Sequence, residues 1–168
     1  MKVFVIIPTY NEKENIKNLI DEILKLKIKS LHILAVDDNS PDKTWKIVDD
    51  ISKRNKNVHL LLRKKDKGRG AAGRDGFIYC LKHSADIVVE MDADFSHDPK
   101  YIPSMLEELK NADLVLGSRR IKGGKDVGRG LLRKLVTLGA NLYIRLMLGL
   151  KVKDCNSGFR CFKREVLE

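Results

Sequence analysis

Residues 2–42 read KVFVIIPTYNEKENIKNLIDEILKLKIKSLHILAVDDNSPD, and this stretch decides the fold class. Two of its segments, Lys2–Ile7 and Leu31–Val36, are apolar nearly throughout, which is typical of strands that are covered on both faces. Between these strands, apolar residues repeat at the spacing of a helix, at Ile16, Leu19, Ile20, Ile23 and Leu24. A strand, a helix and a second strand in this order predict an α/β fold with a mostly parallel central sheet.

The same alternation continues along the chain. Further apolar runs predict strands at Val58–Leu62, Asp86–Met91 and Asp113–Gly117. Asn11 with Glu14 predicts a capping box at the start of the first helix, and Ser40-Pro41 predicts the start of the second helix. Ligands of such sheets bind outside the carboxyl ends of the strands. We therefore expect functional residues in the loops that follow the strands, namely Pro8–Glu12, Asp37–Asp42, Lys64–Gly73, Asp92–Pro99 and Ser118–Lys125.

The composition is that of a folded domain in a reducing compartment. The chain has 168 residues, of which 43% are hydrophobic and 33% charged, which excludes a disordered or collagen-like chain and predicts a single domain over residues 1–168. Its three cysteines form no Cys-x-x-Cys pair, so we expect buried free thiols rather than disulfides or a zinc site. The apolar runs are too short for a signal peptide or a membrane span, which predicts a cytoplasmic protein.

The positive charge is concentrated toward the C-terminus. The chain carries a net charge of +10, but residues 1–116 contribute only +1 and residues 117–168 contribute +9. This asymmetry predicts an anionic partner for the C-terminal third. A nucleic-acid-binding or lipid-binding module without catalytic activity would explain the basic residues, but it would leave the acidic pair Asp92 and Asp94 unexplained. We therefore expect no nucleic acid among the partners.

The acidic motif Asp92-Ala93-Asp94 follows the predicted strand that ends at Met91. Residues two apart in an extended chain point to the same side, so both carboxylates could hold a hard divalent cation such as Mg²⁺ or Mn²⁺ against a diphosphate. Asp37-Asp38 ends another predicted strand in the same way. Asp42 is expected to stabilise the start of a helix through the helix dipole rather than to contact a ligand.

A glycine-rich motif permits a different interpretation. Residues 68–73, GRGAAG, match the dinucleotide-binding fingerprint, which would make the chain a dehydrogenase. The fingerprint glycines normally follow their strand almost directly, whereas Lys64-Lys65-Asp66-Lys67 intervenes here. We therefore expect the match to be coincidental.

The segment Leu131–Leu150 predicts a long helix with two stripes. One stripe is rich in leucine, and the other is polar and consists of Arg133, Thr137, Asn141 and Arg145. A leucine stripe is typical of a helix packed on a core, whereas unopposed arginines beside it are typical of a helix at an anionic lipid surface or of a phosphate pocket at a membrane. The sequence leaves both interpretations open.

Five motifs together resemble those of the family 2 glycosyltransferases of GT-A fold, and within them the dolichol-phosphate (polyprenyl-phosphate) mannosyltransferases. They run in family order at residues 7–12 (IPTYNE), 36–44 (VDDNSPDKT), 91–99 (MDADFSHDP), 117–124 (GSRRIKGG) and 154–160 (DCNSGFR). The resemblance implies a Rossmann-like three-layer sandwich and a metal-dependent, inverting transfer of mannose from GDP-mannose to dolichyl or polyprenyl phosphate. The alternative is a related enzyme that uses a UDP-sugar donor or a hydroxyl acceptor, and a hydroxyl acceptor would require a carboxylate base, for which Asp154 is the candidate.

The resemblance also implies roles for individual residues. Binding of the donor nucleotide falls to Pro8, Tyr10, Glu12, Asp38 and Ala93. The metal ion would be held by Asp92, Asp94 and Ser96. The lipid phosphate would be bound by Arg119, Arg133 and Thr137. The catalytic residues would be Asp92, Asp94, Arg119 and Arg133. A lipid acceptor would also place the enzyme at the cytoplasmic face of a membrane, against its anionic surface.

The sequence departs from the family pattern at a few positions. Lys67-Gly68-Arg69-Gly70 replaces the more usual Lys-x-Gly-Leu-Gly, and Arg120 stands where a tyrosine is usual. The resemblance implies a nucleotide-sugar half over about residues 1–98 and an acceptor half over about residues 99–168. Because the family's catalytic domain continues further, it also implies that this acceptor half is truncated.

Overall fold

The structure is a computed structural model that describes residues 1–118, 121, 131–150, 152 and 154–168, without the side chains of residues 131–135. In these ranges the strands are β1 (Val3–Thr9), β2 (Leu31–Asp37), β3 (Val58–Leu62), β4 (Ile87–Glu90), β5 (Leu114–Leu116) and β6 (Arg160–Lys163). The helices are α1 (Ile16–Lys25), α2 (Thr44–Ser52), α3 (Arg69–Lys82), α4 (Ile102–Glu108) and α5 (Leu131–Leu148). Short 3₁₀ helices cover Pro99–Tyr101, Leu109–Asn111 and Arg164–Val166. The predicted strands and the predicted long helix are confirmed.

The strands form a mixed, mostly parallel sheet in the order β3-β2-β1-β4-β6-β5. The pairs of β1 with β2, of β1 with β4 and of β2 with β3 are parallel, whereas β4 and β6 are antiparallel. Because β1 lies between β2 and β4, the chain leaves β1 toward one side of the sheet and later returns to its other side. A crevice forms at the carboxyl ends of the strands at such a switch point, which is where open α/β sheets bind ligands.

The residues of β1 alternate between two hydrophobic clusters. Val3, Val5 and Ile7 pack in one cluster with the buried face of α1, which consists of Ile16, Leu19, Ile20 and Ile23. Phe4 and Ile6 pack in the other cluster, which includes Leu34, Val36, Ala72 and Cys80. Both faces of the sheet are therefore covered, and this explains why the strands are apolar nearly throughout.

Two predicted helix starts are wrong. Asn11 lies in the left-handed region with φ of 60°, and α1 begins only at Ile16, so Asn11 and Glu14 form no capping box. The second helix begins at Thr44 rather than at Ser40-Pro41, because Ser40 donates its hydroxyl to Asp37 Oδ2 at 2.8 Å. The Ser40 side chain, which could cap a helix, is instead hydrogen-bonded within the loop that follows β2.

The described residues form two compact units. One consists of Met1–Val115 with Phe159–Glu168, and the other consists of Leu116–Gly158 and contains α5. The division into a nucleotide-sugar half and an acceptor half at about residue 98 is a functional one and stays a prediction.

Among the described residues, no helix combines the length and the apolar character that crossing a bilayer requires. The three cysteines are free, and Cys80 and Cys161 are buried as predicted, whereas Cys155 is only half-buried.

The sequence left two interpretations of the stripes of α5 open, and the described side chains bear on both stripes. Leu138, Leu142 and Leu146 are 53%, 54% and 74% exposed, so this part of the leucine stripe does not pack on a core. Asn141, on the polar stripe, is buried instead, donates Nδ2 to the carbonyl of Thr137 at 3.0 Å and accepts the N–H of Cys155 at 2.7 Å. Asn141 thus joins α5 to the segment that follows it.

Candidate functional site

A cavity of about 570 Å³ opens at the carboxyl ends of the strands in the larger unit. Its walls come from the loop after β1, the end of β2, the start of α3 and the loop after β4. The lining residues are Pro8, Thr9, Tyr10, Glu12, Asp38, Lys67, Gly68, Arg69, Ala72, Asp92, Ala93 and Asp94. The structure therefore brings together Pro8, Tyr10, Glu12, Asp38 and Ala93, the five residues predicted to bind a nucleotide, with the acidic pair.

The loop after β1 is fixed by side chains from the loop after β2. The backbone N–H of Asn11 donates to Ser40 Oγ at 3.1 Å, and that of Glu12 donates to Thr44 Oγ1 at 2.9 Å. The N–H of Lys13 donates to Asp42 Oδ2 at 3.0 Å, and Asp42 also accepts the N–H of Thr44 at 2.9 Å. Asp42 lies before α2 rather than in its first turn as predicted, but it accepts the N–H of the first residue of α2, and the joined loops hold Glu12 at the cavity.

Asp37 and Asp38 have different roles although they are neighbours at the end of β2. Asp37 is fully buried and accepts hydrogen bonds from Thr9 Oγ1 at 2.8 Å and from the backbone N–H of Ser40 at 2.8 Å, so it organises the turn. Asp38 lines the cavity and accepts the backbone N–H of Gly68 at 2.6 Å. Successive side chains of a strand point to opposite faces, which accounts for this division.

A buried arginine that the motifs did not reveal supports Asp38. Arg63 follows β3, and its side chain is only 4% exposed. Its guanidinium forms an ion pair with Asp38, donates to the carbonyl of Asp66, and donates Nε to Asp75 Oδ2 at 2.8 Å. Partial burial works to raise the pKa of Asp75, but hydrogen bonds from Arg63 and Arg74 outweigh it and lower that pKa. Arg63 is the first of three consecutive basic residues, Arg63-Lys64-Lys65, and its place directly after an apolar strand is the only signal that the sequence offers for it.

The acidic pair follows β4, which lies on the other side of β1 from β2 and Asp38. The backbone N–H of Asp92 donates to His97 Nδ1 at 3.0 Å, and the His97 ring stacks on Phe159 with 5.2 Å between centroids. Asp94 Oδ1 accepts the backbone N–H of Ser96 at 3.0 Å. Partial burial works to raise the pKa of Asp94, but the hydrogen bonds from Ser96 and the nearby charge of His97 outweigh it, so the pKa lies below its ordinary value. Asp94 is therefore ionised at neutral pH.

The two carboxylates fit a hard divalent cation that shares its remaining ligands with a substrate. Mg²⁺ is typically held by one or two carboxylates together with substrate phosphates, rather than by a cage made only of protein groups. The part of the chain that the structure describes contains no group of three or more His, Cys, Asp or Glu residues that could hold a metal ion. Ser96, the third predicted ligand, positions Asp94 and is not among the lining residues of the cavity.

A cation at the start of α3 faces the acidic pair. Arg69 is the first residue of α3, and its Nη2 atom lies 2.6 Å from Asp92 Oδ1 and 3.8 Å from Glu90 Oε1. Lys67 and Gly68 line the same wall. The residues 68–73 of the dinucleotide-like motif thus begin a helix whose positive end borders the cavity, an arrangement that favours a negatively charged ligand.

Of the three predicted lipid-phosphate residues, the structure describes the side chain of Thr137 only. Arg119 lies outside the described residues, as does the side chain of Arg133, whose backbone belongs to α5. Thr137 belongs to the smaller unit, and its carbonyl accepts the Asn141 amide. Asp154, the candidate base of the alternative hypothesis, is 2% exposed in the same unit. The roles of Arg119, Arg133 and Thr137 therefore stay predictions.

The architecture is shared with solved glycosyltransferase structures. Mannosyl-3-phosphoglycerate synthase from Rubrobacter xylanophilus superposes with a TM-score of 0.75 at 21% identity, over 99% of this chain and 54% of that chain. Glucosyl-3-phosphoglycerate synthase from Mycobacterium tuberculosis, in complex with Mn²⁺, UDP-glucose and glycerol 3-phosphate, superposes with a TM-score of 0.70 at 24% identity, over 98% of this chain and 57% of that chain. The fold is the GT-A fold, as predicted.

Sequence relatives define the family. The profile of glycosyl transferase family 2 matches residues 4–168. The chain is 41% identical over 167 residues to an undecaprenyl-phosphate mannosyltransferase of Micrococcus luteus, covering 99% of this chain and 68% of that protein. It is 41% identical over 172 residues to a dolichol-phosphate mannosyltransferase of Pyrococcus furiosus, covering 100% of this chain and 48% of that protein. The chain belongs to glycosyl transferase family 2, and it spans about half to two thirds of the length of these relatives.

Proposed function

We propose that the chain transfers mannose from GDP-mannose to dolichyl phosphate or another polyprenyl phosphate, with inversion at the anomeric carbon. The observation that carries this proposal is that Tyr10, Glu12 and Asp38 line the same cavity as Asp92 and Asp94. The names of the two relatives above, and that of a polyprenol monophosphomannose synthase of Mycolicibacterium smegmatis at 38% identity, support the sugar and the acceptor class.

The donor would lie in the cavity, between Asp38 and the acidic pair. Asp38 and the loop after β1 would bind the nucleoside, and the acidic pair would face the diphosphate. A divalent cation, Mg²⁺ or Mn²⁺, held by Asp92 and Asp94 with Ser96 as a third candidate ligand, would neutralise charge on the departing diphosphate. The fixed loops around Glu12 and Asp38 would orient the sugar nucleotide before the acceptor attacks.

The acceptor explains why a catalytic base is not needed. A phosphate monoester has a second pKa of about 6, so a polyprenyl phosphate is already an anionic nucleophile at neutral pH. Arg119 and Arg133, with Thr137, would hold this phosphate in line with the anomeric carbon, since a guanidinium binds phosphate through two parallel hydrogen bonds. Direct attack by the phosphate oxygen inverts the configuration and gives a β-linked product.

An anionic membrane surface is the proposed location of the reaction, at the cytoplasmic face. Residues 117–168 carry +9, and α5 exposes Leu138, Leu142 and Leu146 by more than half. Basic residues beside an exposed apolar helix face are attracted to anionic lipid. We infer that the enzyme approaches its lipid acceptor through this helix.

The test is incubation of the chain with a panel of nucleotide sugars and a polyprenyl phosphate, followed by mass spectrometry of the lipid extract. We expect a mannosylated lipid with GDP-mannose and none with UDP-glucose. A product that forms from UDP-glucose, or only with a hydroxyl acceptor in place of the lipid phosphate, would favour the alternative enzyme of the same family. Asp94→Asn is the inactive control, and Asp113→Asn, at an exposed ion pair with Lys163, is its matched active control.

A further inference from the structure

A buried carboxylate interrupts the apolar strand β4. Ile87, Val88 and Val89 belong to the hydrophobic clusters, but the next residue, Glu90, is a carboxylate only 3% exposed. A buried charge is unfavourable unless it is paired, so its partners indicate why it is there.

Glu90 lies between two arginines that come from different elements. Arg160 is its register partner on β6, and the Nη2 atom of Arg160 lies 2.8 Å from Glu90 Oε2. On the other side, Arg69 Nη2 lies 3.8 Å from Glu90 Oε1. A Cβ atom added at Gly73, one turn after Arg69 in α3, would lie 3.4 Å from Glu90 Oε1, so the helix passes close to this carboxylate. Glu90 therefore joins β6 to the start of α3.

The Arg69 side chain lies between the buried carboxylate of Glu90 and the cavity. Its side chain is 45% exposed, it lines the cavity, and the same Nη2 atom that faces Glu90 lies 2.6 Å from Asp92 Oδ1. A guanidinium has five N–H donors in a planar fork, and both of these contacts use one nitrogen. The pattern usual in the family has leucine rather than arginine in this glycine-rich segment. The guanidinium is thus an additional cation at the wall that the diphosphate would meet.

We propose that Arg69 binds the diphosphate of the donor and that Glu90 is the positioning residue that holds Arg69 at the cavity wall. The inference rests on the proposed function in one respect, the presence of a diphosphate in the donor. Arginine binds phosphate bidentately and remains charged at every working pH. Because Arg69 contacts Asp92, its guanidinium also competes with a divalent cation for that carboxylate when no diphosphate is present.

The first test measures binding by isothermal titration calorimetry, with inorganic pyrophosphate and with GDP, each in the presence of Mn²⁺. We expect Arg69→Leu to weaken the binding of both ligands by about tenfold, because a hydrogen-bonded charge contact to each is lost. Arg74→Leu is the matched control, since it removes an exposed arginine of the same helix that does not line the cavity. Binding of Mn²⁺ alone, followed by electron paramagnetic resonance, should be tighter in Arg69→Leu than in the unaltered chain.

The second test asks whether Glu90 acts through Arg69. Glu90→Gln keeps the shape of the side chain and removes its charge, and we expect it to weaken pyrophosphate binding by about threefold. In the Arg69→Leu background the same substitution should have no further effect. A purely structural role of Glu90 would instead give the same loss in both backgrounds, and that result would overturn the positioning role.

The outcomes separate this inference from the proposed function. Pyrophosphate binding in Arg69→Leu within about twofold of the unaltered chain overturns the inference. Loss of Mn²⁺ binding in parallel with loss of pyrophosphate also overturns it, because the substitution would then have collapsed the acidic wall. An Arg69-dependent site that binds pyrophosphate and UDP but discriminates against GDP supports the inference and contradicts the GDP-mannose donor. Absence of any diphosphate binding by the unaltered chain contradicts both.

Discussion

The carboxylate of Asp38 accepts a hydrogen bond from the backbone N–H of Gly68, with 2.6 Å between Oδ2 and N. This contact joins the end of β2 to the residue before α3, across 30 positions of sequence. The other carboxylate oxygen of Asp38 is paired with Arg63. The buried Arg63 therefore holds Asp38 in place at the part of the cavity that would bind the nucleoside.

Removal of the Arg63 side chain should destabilise the fold. Arg63→Met leaves the Asp38 carboxylate buried without its cation, and we expect the free energy of unfolding in urea to fall by about 3 kcal/mol. Arg63→Lys keeps the positive charge but lacks the planar guanidinium with its several N–H donors, so its free energy of unfolding should fall by less. Arg74→Leu removes an exposed arginine from the adjacent helix and should change the free energy of unfolding by no more than about 0.5 kcal/mol. Equal stability of Arg63→Met and Arg74→Leu would show that the network is dispensable.

Asp94→Asn should abolish most of the metal-dependent binding of GDP while leaving the fold intact. We expect the affinity for GDP in Mn²⁺ to fall by about tenfold or more, because a charged candidate ligand is lost. The melting temperature should stay within a few degrees, since Asp94 is an exposed residue of a strand-end loop. Calorimetry with and without Mn²⁺ is the measurement, with Asp113→Asn as the matched control. Undiminished Mn²⁺-dependent affinity in Asp94→Asn would remove Asp94 from the metal site.

The exposed face of α5 should bind anionic vesicles. The double substitution Leu142→Ser and Leu146→Ser removes two apolar side chains that are 54% and 74% exposed, and we expect it to reduce sedimentation with phosphatidylserine vesicles. Binding of the unaltered chain should weaken as salt is raised, because the basic residues act through screened charge. Ile78→Ser, at a position of α3 that is 43% exposed, is the matched control. Equal binding to neutral and anionic vesicles would contradict the electrostatic part of this prediction.

A histidine cluster at the amino ends of the strands should make stability depend on pH. His59 Nε2 lies 3.1 Å from His32 Nδ1, and burial, followed by the positive charges of His32, His83 and Lys2, lowers the pKa of His59 to about 4 from 6.5. The unfolded chain therefore binds this proton at a higher pH than the folded chain does. The contribution of His59 to stability is complete above pH 6.5 and is lost as the pH falls toward 4.

The measurement for this cluster is urea denaturation of the unaltered chain and of His59→Gln at several pH values from 7 to 5. Glutamine cannot be protonated in this range, so the difference in free energy of unfolding between the two proteins should shift in favour of His59→Gln as the pH falls. A difference that stays constant over that range would contradict the lowered pKa.

Much of the sheet was open to prediction because each strand carries its own signal. Val3–Thr9 and Leu31–Asp37 are buried on both faces, and a run of apolar residues is what such burial requires. Parallel strands end at one edge, so the strand-end loops could be expected to meet, and Asp38 and Asp92 do line one cavity. The local polar motifs were harder to interpret, since Ser40 could cap a helix or join two loops. Its hydroxyl accepts the backbone N–H of Asn11 from 29 positions away, and no local pattern encodes that contact.

The cations of the site could not be predicted because their partners are distant in sequence. Arg63 pairs with Asp38 across 25 positions, and Arg160 meets Glu90 only through the antiparallel register of β4 and β6. No local spacing encodes either pair. Arg69 was visible only as a departure from a family pattern, and its contact with Asp92 depends on how α3 packs against β4.

The anomeric configuration of the lipid product tests the central claim most directly. The chain is incubated with GDP-mannose, Mn²⁺ and a polyprenyl phosphate, and the mannolipid is purified and examined by NMR through the one-bond carbon–hydrogen coupling at the anomeric centre. Direct attack by the acceptor phosphate on the α-linked donor predicts β-mannosyl phosphate as the product. An α-linked product would contradict single-step displacement in this cavity, and free mannose without any mannolipid would contradict the proposed acceptor.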